Sequence, residues 1–221
     1  MTDPSRADDY SSWYDDYERA IIRPGLLANA FRFENPGAAG TVTDPRYAAI
    51  YDIVSPDPAS AWQATEDSPD YPTHLFADPR TKLVAPVLRG SYAMTGSMDS
   101  GKDRRALTGV HIILSDGGND AVREQRAAAV LDTGFFHAAS RFRVIEGTPE
   151  PPAWLEVFET GLQDPLSAYA RACHGLALRP RADGVRQRSS RPFALVAAHQ
   201  ADPQACDRWP TTIVQGRSAT I

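Results

Sequence analysis

The sequence predicts an α+β fold of two consecutive β-α-β-β-α-β units, the first of them without its opening strand. Three observations carry this. Gly25–Phe33 (GLLANAFRF) and Gly134–Phe142 (GFFHAASRF) share Gly, Ala, Arg and Phe at an offset of 109 residues. At an offset of 107, Tyr47–Asp52 matches Trp154–Glu159 in character, and Asp57-Pro58-Ala59-Ser60-Ala61-Trp62 matches Asp164-Pro165-Leu166-Ser167-Ala168-Tyr169. Three blocks in one order read as an internal duplication, with the change of offset in a loop, where length variation is cheap.

The elements follow in order. Asp8 to Arg23 reads as a helix, with Trp13, Tyr17, Ala20 and Ile21 at helical spacing and Pro24-Gly25 ending it. Leu26–Glu34 and Tyr47–Val54 read as strands, the second rich in aromatic and β-branched residues. Asp57 caps a second helix that Pro58 opens, and Leu83–Met94 closes the unit as a strand. The polar stretch Gly96–Arg105 reads as a linker between units at 1–100 and 105–221. The second unit then has strands at Val110–Leu114, Phe135–Val144, Trp154–Thr160 and Arg191–His199, with helices at Asp120–Leu131 and Asp164–Leu178. Val110–Leu114 has no counterpart before the first helix, since Met1 precedes it closely. The expectation is therefore a three-stranded first sheet, with translation starting upstream or a partner segment filling the gap.

Composition narrows the function classes. The 221 residues are 42% apolar and 23% charged, which suits a globule with a core, and 23 basic against 28 acidic residues leave a charge of −5. No chain-wide basic field favours nucleic acid, and the short run Arg186, Arg188, Arg191 in Gly184–Arg191 reads as a local basic turn. No apolar run is long enough for a membrane span, and Met1–Tyr10 carries no signal-peptide core, so a cytoplasmic location is expected. Cys173 and Cys206 have no metal-type spacing, and no phosphate-cradling glycine loop, G-x-S-x-G or H-E-x-x-H occurs. Asp116–Asp120 lacks an EF-hand's glutamate and reads as a helix cap. No cofactor and no metal is implied.

Trp13-Tyr14-Asp15, Pro24-Gly25 and Ala30-Phe31-Arg32-Phe33 resemble the dimeric α+β barrel superfamily, in its branch related to EthD-type proteins. Members carry W-Y-[DN]-x-x-H on the first helix, P-G at its end and A-R-R-[YF] on the next strand; Ser68–Tyr71 is similar to a stretch on their second helix. The resemblance implies that the two ferredoxin-like repeats close one intramolecular α+β barrel. It implies no single activity, because the superfamily includes cofactor-free monooxygenases, cyclases, isomerases and haem enzymes. Glu18 stands where the motif's histidine would be, and the second repeat has lost the motif.

Strand alternation then sorts the candidate site. With helices on one face of each sheet and the other faces pressed together, Leu27, Phe31, Phe33, Phe136, Phe142, Val110, Ile112 and Leu114 would sit under the helices. The cleft between the sheets would hold His111, His137, Glu156 and Arg141 as catalytic candidates. His or Glu would serve as base there, and Arg would hold a carboxylate or enolate oxygen. Arg32, Tyr47, Tyr51, Trp154 and Phe158 would contact the substrate. The alternative is structural: Arg32 and Arg141 paired with Asp52 and Glu159, the histidines satisfied in the core, and the aromatics, with Trp13 and Tyr14, as packing. His74 lies in a proline-rich stretch that could border the mouth.

The expectation is a cofactor-independent enzyme, of isomerase, cyclase, lyase or monooxygenase type, acting on a small hydrophobic or aromatic molecule between the sheets. The alternative is a non-catalytic small-molecule-binding or structural barrel. The chain would be a monomer with an internal pseudo-dimer, or a homodimer joined through the open sheet edge.

Overall fold

The computed structural model describes residues 6–23, 27–39, 44–55, 57–83, 88–101, 106–148, 150–176, 185–200 and 215–220. Eight strands close a barrel: β1 (Leu27–Glu34), β2 (Tyr47–Val54), β3 (Arg89–Asp99), β4 (Gly109–Gly117), β5 (Ala138–Thr148), β6 (Trp154–Thr160), β7 (Val185–Gln200) and β8 (Gln215–Thr220). Four helices accompany them: α1 (Ala7–Ile21), α2 (Pro58–Glu66), α3 (Asp120–Asp132) and α4 (Ala168–Leu176).

Local chemistry places these elements. Tyr10, Trp13, Tyr14, Tyr17, Glu18 and Ile21 of α1 are buried along one stripe at helical spacing. The Asp57 carboxylate accepts from the Ser60 N–H at 3.1 Å and Pro58 sits in the first turn of α2. Asn119 caps α3 by accepting from the Val122 N–H at 3.0 Å. Gly117 and Gly118 precede it at φ 65°, a conformation that L side chains rarely adopt.

Several expectations change. The closing strand of the first half is β3, which starts later than Leu83 and runs to Asp99, through the start of the supposed linker; residues 102–105 lie outside the described residues. Short 3-10 turns at Thr73–Ala77 and Pro79–Leu83 precede it. Ser68–Tyr71 follows α2 rather than lying on it, and α4 starts at Ala168, after Asp164-Pro165. The basic run Arg186, Arg188, Arg191 lies on β7, not in a turn. Pro24, Gly25, Leu178 and Cys206 lie outside the described residues.

The largest correction concerns the missing strand. Around the barrel the order is β1-β2-β8-β3-β5-β6-β4-β7, and β7 pairs back onto β1. β1, β2 and β3 are the strands of the first half. The gap between β2 and β3 is filled by β8, from the end of the same chain. β8 runs antiparallel to both neighbours, Ile50 opposite Ala219 on one side and Gly90 opposite Ala219 on the other. The edge that the sequence leaves open is thereby paired.

Three apolar clusters define the layers. One contains Phe33, Ala48, Ile50, Tyr92, Val110, Ile112, Leu114, Phe142, Leu155, Val157 and Phe193 together with Leu88, and no helix residue; it is the barrel interior. A second joins α1 and α2 to Leu27, Ala30, Ala49, Tyr51 and Ile53 on the outer face of β1 and β2. The third joins α3 and α4 to Ile113, Phe136, Ala139 and Phe158. Leu27 and Phe136 lie under the helices as expected, but the rest of the face assignment drawn from the sequence is inverted. Phe31, Phe33, Val110, Ile112, Leu114 and Phe142 point into the barrel, and the polar set lies under the helices. Leu27 parts from Phe31 and Phe33 because the register shifts between Leu27 and Asn29.

Candidate functional site

The residues expected to share one cleft divide between the two helix-covered faces. Under α3 and α4, Glu156 is fully buried and receives both Arg126 Nε (3.0 Å) and Arg126 Nη2. Arg123, also buried, approaches Glu156 at 3.6 Å, donates to Asn119 O, Gly117 O and Ser115 Oγ, and lies over the Trp154 ring at 4.1 Å. Burial pushes the Glu156 carboxyl up, against the pull of Arg126 and Arg123. Arg141 donates to Asp120 in the first turn of α3 at 3.0 Å, and a Cβ at Gly96 would collide with its guanidinium. These are helix-to-sheet ties.

His111 is buried on the same side. Its ring stacks on Tyr169 at 3.7 Å, and Nε2 lies 2.7 Å from Ser190 Oγ. Burial first, then the charges of Arg191 and Arg126, hold its pKa down to about 3, so the imidazole is neutral at physiological pH. Nδ1 is buried and has no hydrogen-bond partner among the described residues. His137, just before the start of β5, lies 3.9 Å from Glu159. Phe158 packs edge-on to Phe136 and beside Tyr169.

The other face holds Arg32, Tyr47 and Tyr51, and residues that the sequence reading did not assemble. Tyr51 OH lies 2.6 Å from Tyr14 OH, and Tyr47 packs against Tyr10. Trp13 stacks on Tyr17 and donates Nε1–H to Leu75 O at 3.0 Å; Tyr17 OH lies 3.3 Å from Tyr71 OH. Small residues beneath, Ala30 and Ala49, make room for this aromatic layer. Arg32 does not pair with Asp52, which accepts from Asn29 at 3.0 Å. Its Nη1 donates to Ser11 O at 2.8 Å instead, and its Nε is buried without a partner among the described residues. His74 is exposed on the 3-10 turn at Thr73–Ala77.

Within this layer lies Glu18. It is 0% exposed, and neither carboxyl oxygen has a hydrogen-bond partner among the described residues. Burial pushes its pKa up to about 8, although Arg32 pulls the other way. His199 of β7 reaches in: its Nε2 is 2.8 Å from Asp15 Oδ1 and 3.8 Å from Glu18 Oε2. Asp15 is tied through its other oxygen to Arg19 at 2.7 Å. An imidazole therefore stands beside Glu18, supplied by β7, far along the chain from α1. The signal available in the sequence was an acidic residue in the middle of the aromatic stripe of α1, with Asp15 three residues before it on the same helix face. Nothing local pointed to His199.

Chemically, an unpartnered buried carboxyl, a histidine–aspartate pair and an arginine amid tyrosine and tryptophan can exchange protons with a small aromatic molecule and hold its anion. Among the described residues no helix is long and apolar enough to cross a membrane.

No family profile matches the sequence, and no curated protein matches it. Solved structures do. An anthrone oxidase-like protein shares 7% identity at a TM-score of 0.51, over 90% of each chain. A provisionally named monooxygenase from Fusobacterium nucleatum subsp. nucleatum shares 8% identity at a TM-score of 0.54, over 90% of this chain and 89% of its own. At such identities the likeness is one of fold, and the chain is an α+β barrel of the kind those two proteins adopt.

Proposed function

We propose that the protein is a cofactor-independent oxidase or monooxygenase-type enzyme acting on a small aromatic molecule. Its site is the layer between α1, α2 and the outer faces of β1 and β2, not the space between the sheets. The observation that carries this reading is Glu18, a buried carboxyl whose oxygens have no hydrogen-bond partner among the described residues, inside a layer of tyrosine and tryptophan. Leaving such a group unpaired costs on the order of 1–3 kcal/mol, a cost that a bound substrate hydroxyl or acidic C–H would offset. Among the described residues the barrel interior is filled largely by apolar side chains from seven strands; the Tyr92 hydroxyl is buried there without a hydrogen-bond partner, but that cluster holds no carboxyl or imidazole.

Glu18 accepts a proton from an activated position of the substrate, such as the CH2 flanked by two aromatic rings in a cyclic diaryl ketone. Arg32 steadies the resulting enolate, and the electron-rich anion reacts with dioxygen. One oxygen atom remains as a carbonyl on that carbon, the O–O bond breaks, and the other oxygen leaves as water with the two hydrogens removed. The names of the structural neighbours favour this oxidation over isomerase, cyclase or lyase chemistry.

The fold reading is part of the proposal. Units at 1–100 and 105–221 are taken as tandem ferredoxin-like repeats. The order β1-β2-β8-β3 repeats in β5-β6-β4-β7, with β8 standing where β4 stands in the other unit. On this reading the first repeat is completed by a strand carried at the far end of the chain.

The test is oxygen uptake by the purified chain with anthrone and simple hydroquinones, with no cofactor added. Uptake that falls at least about tenfold in Glu18→Gln, with folding verified, is expected. Uptake unchanged by Glu18→Gln but abolished by His111→Phe would move the site to the opposite face and overturn the assignment.

A further inference from the structure

The Asp15, Glu18 and His199 donor atoms all lie within 4.8 Å of one another, on a rigid helix and the strand packed beside it. We infer that these three side chains form a binding site for one divalent transition-metal ion of the zinc class, through Asp15 Oδ1, Glu18 Oε2 and His199 Nε2, with water completing the coordination.

The geometry fits the ligand set. Donors about 2.1 Å from Zn2+ in a tetrahedron stand roughly 3.4 Å from each other. The observed separations from His199 Nε2, 2.8 Å to Asp15 Oδ1 and 3.8 Å to Glu18 Oε2, bracket that value. Small side-chain rotations suffice to reach it. Asp15 and Glu18 are three residues apart on α1, so both project from one face of a fixed scaffold. Asp15 is oriented through its second oxygen by Arg19, the kind of outer contact that fixes a ligating carboxylate.

The independent pointer is Glu18 itself. The side chain is fully buried, aims at His199, and has no hydrogen bond to either oxygen among the described residues. A bound cation supplies the missing partner. The neighbouring Arg32 guanidinium gives its hydrogen bond to Ser11 O rather than to Glu18, leaving the carboxyl oxygens free for a cation.

One imidazole with two carboxylates selects against Mg2+ and Ca2+, which prefer all-oxygen shells, and for Zn2+ and its imidazole-binding neighbours. The spacing was invisible in the sequence because the third ligand comes from β7. On the oxidase reading above, the ion takes the oxygen that would accept the substrate proton, and so acts as an inhibitor; binding itself does not depend on that reading.

The test is titration of the tag-free, chelator-stripped chain with Zn2+, with Mg2+ in parallel. One Zn2+ per chain is expected, at least about tenfold weaker in Glu18→Gln and in His199→Gln, and unchanged in His174→Gln, whose exposed side chain lies on α4. Co2+ should give the visible absorption of a four-coordinate site in the wild type and lose it in His199→Gln. Glu18→Gln conserves shape, so it decides the matter should His199→Gln fold poorly. No stoichiometric binding, or equal affinity in the wild type and Glu18→Gln, would overturn the site.

Discussion

Replacing His111 by phenylalanine should make the protein less stable at neutral pH and more stable in acid. The ring in the wild type is buried against Tyr169 and held neutral, its pKa depressed from 6.5 to about 3 chiefly by burial. In the unfolded chain the imidazole takes up a proton as pH falls through 6.5, whereas in the folded chain it does so only near 3. Its contribution is therefore intact above 6.5 and is lost progressively as the pH falls towards 3. At about 1.4 kcal/mol per pH unit, the loss between pH 7.5 and 4.5 comes to about 3 kcal/mol. Phenylalanine keeps the stacking on Tyr169 but forfeits the contact of Nε2 with Ser190 Oγ, worth about 1 kcal/mol. The two stability curves should therefore cross at about pH 6. Urea denaturation of both proteins at half-unit intervals from about pH 4.5 to 8 measures this directly. Other titrating groups act on both proteins alike and cancel in the difference. Parallel curves, or a variant less stable than the wild type throughout, would refute the reasoning.

Three further outcomes follow from the packing. Glu156→Gln should lower stability by about 3 kcal/mol, since it leaves the buried Arg123 and the largely covered Arg126 without their carboxylate, measured as a lower urea midpoint with an unchanged slope. Gly109→Ala should cost about 1–3 kcal/mol, because its Cβ would run into the Phe193 carbonyl and lie 2.5 Å from Pro165 Cβ; an unchanged melting temperature would contradict the close approach of β4 to β7. Removing residues 215–221 should strip β2 and β3 of their shared partner and expose two unpaired edges. Light scattering should then show more self-association than in the full chain, measured side by side.

Much of the architecture could be read from local chemistry. β2 and β6 have the bounds that the aromatic and β-branched runs at Tyr47–Val54 and Trp154–Thr160 suggest, and the Asp57 cap and the α1 stripe stand where their residues predict. Facing was not readable, for a physical reason. Both faces of most strands are buried here, one by helices and one by the opposite side of the barrel, so alternation reveals which residues share a face but not which layer covers it. The deciding information lay on the helices: Arg123 and Arg126 for Glu156, Asp120 for Arg141, Tyr169 for His111. Likewise Glu18 could be noticed alone, but its association with His199 required the pairing of β7 with β1, a contact between the two ends of the sequence.

The position of β8 also bears on how the chain acquires its shape. During synthesis β1, β2 and β3 emerge early, yet the groove between β2 and β3 has no occupant until residues 215–220 are made. β8 is thus the strand that joins β2 to β3, and it must find that place more than 100 residues after β3 has formed. Such distant pairings come late and slowly, because the entropy of closing the loop is lost before any contact is gained. A chain arrested before residue 215 would leave the facing edges of β2 and β3 unpaired. β8 works as a clasp, making closure wait on the synthesis of residues 215–220.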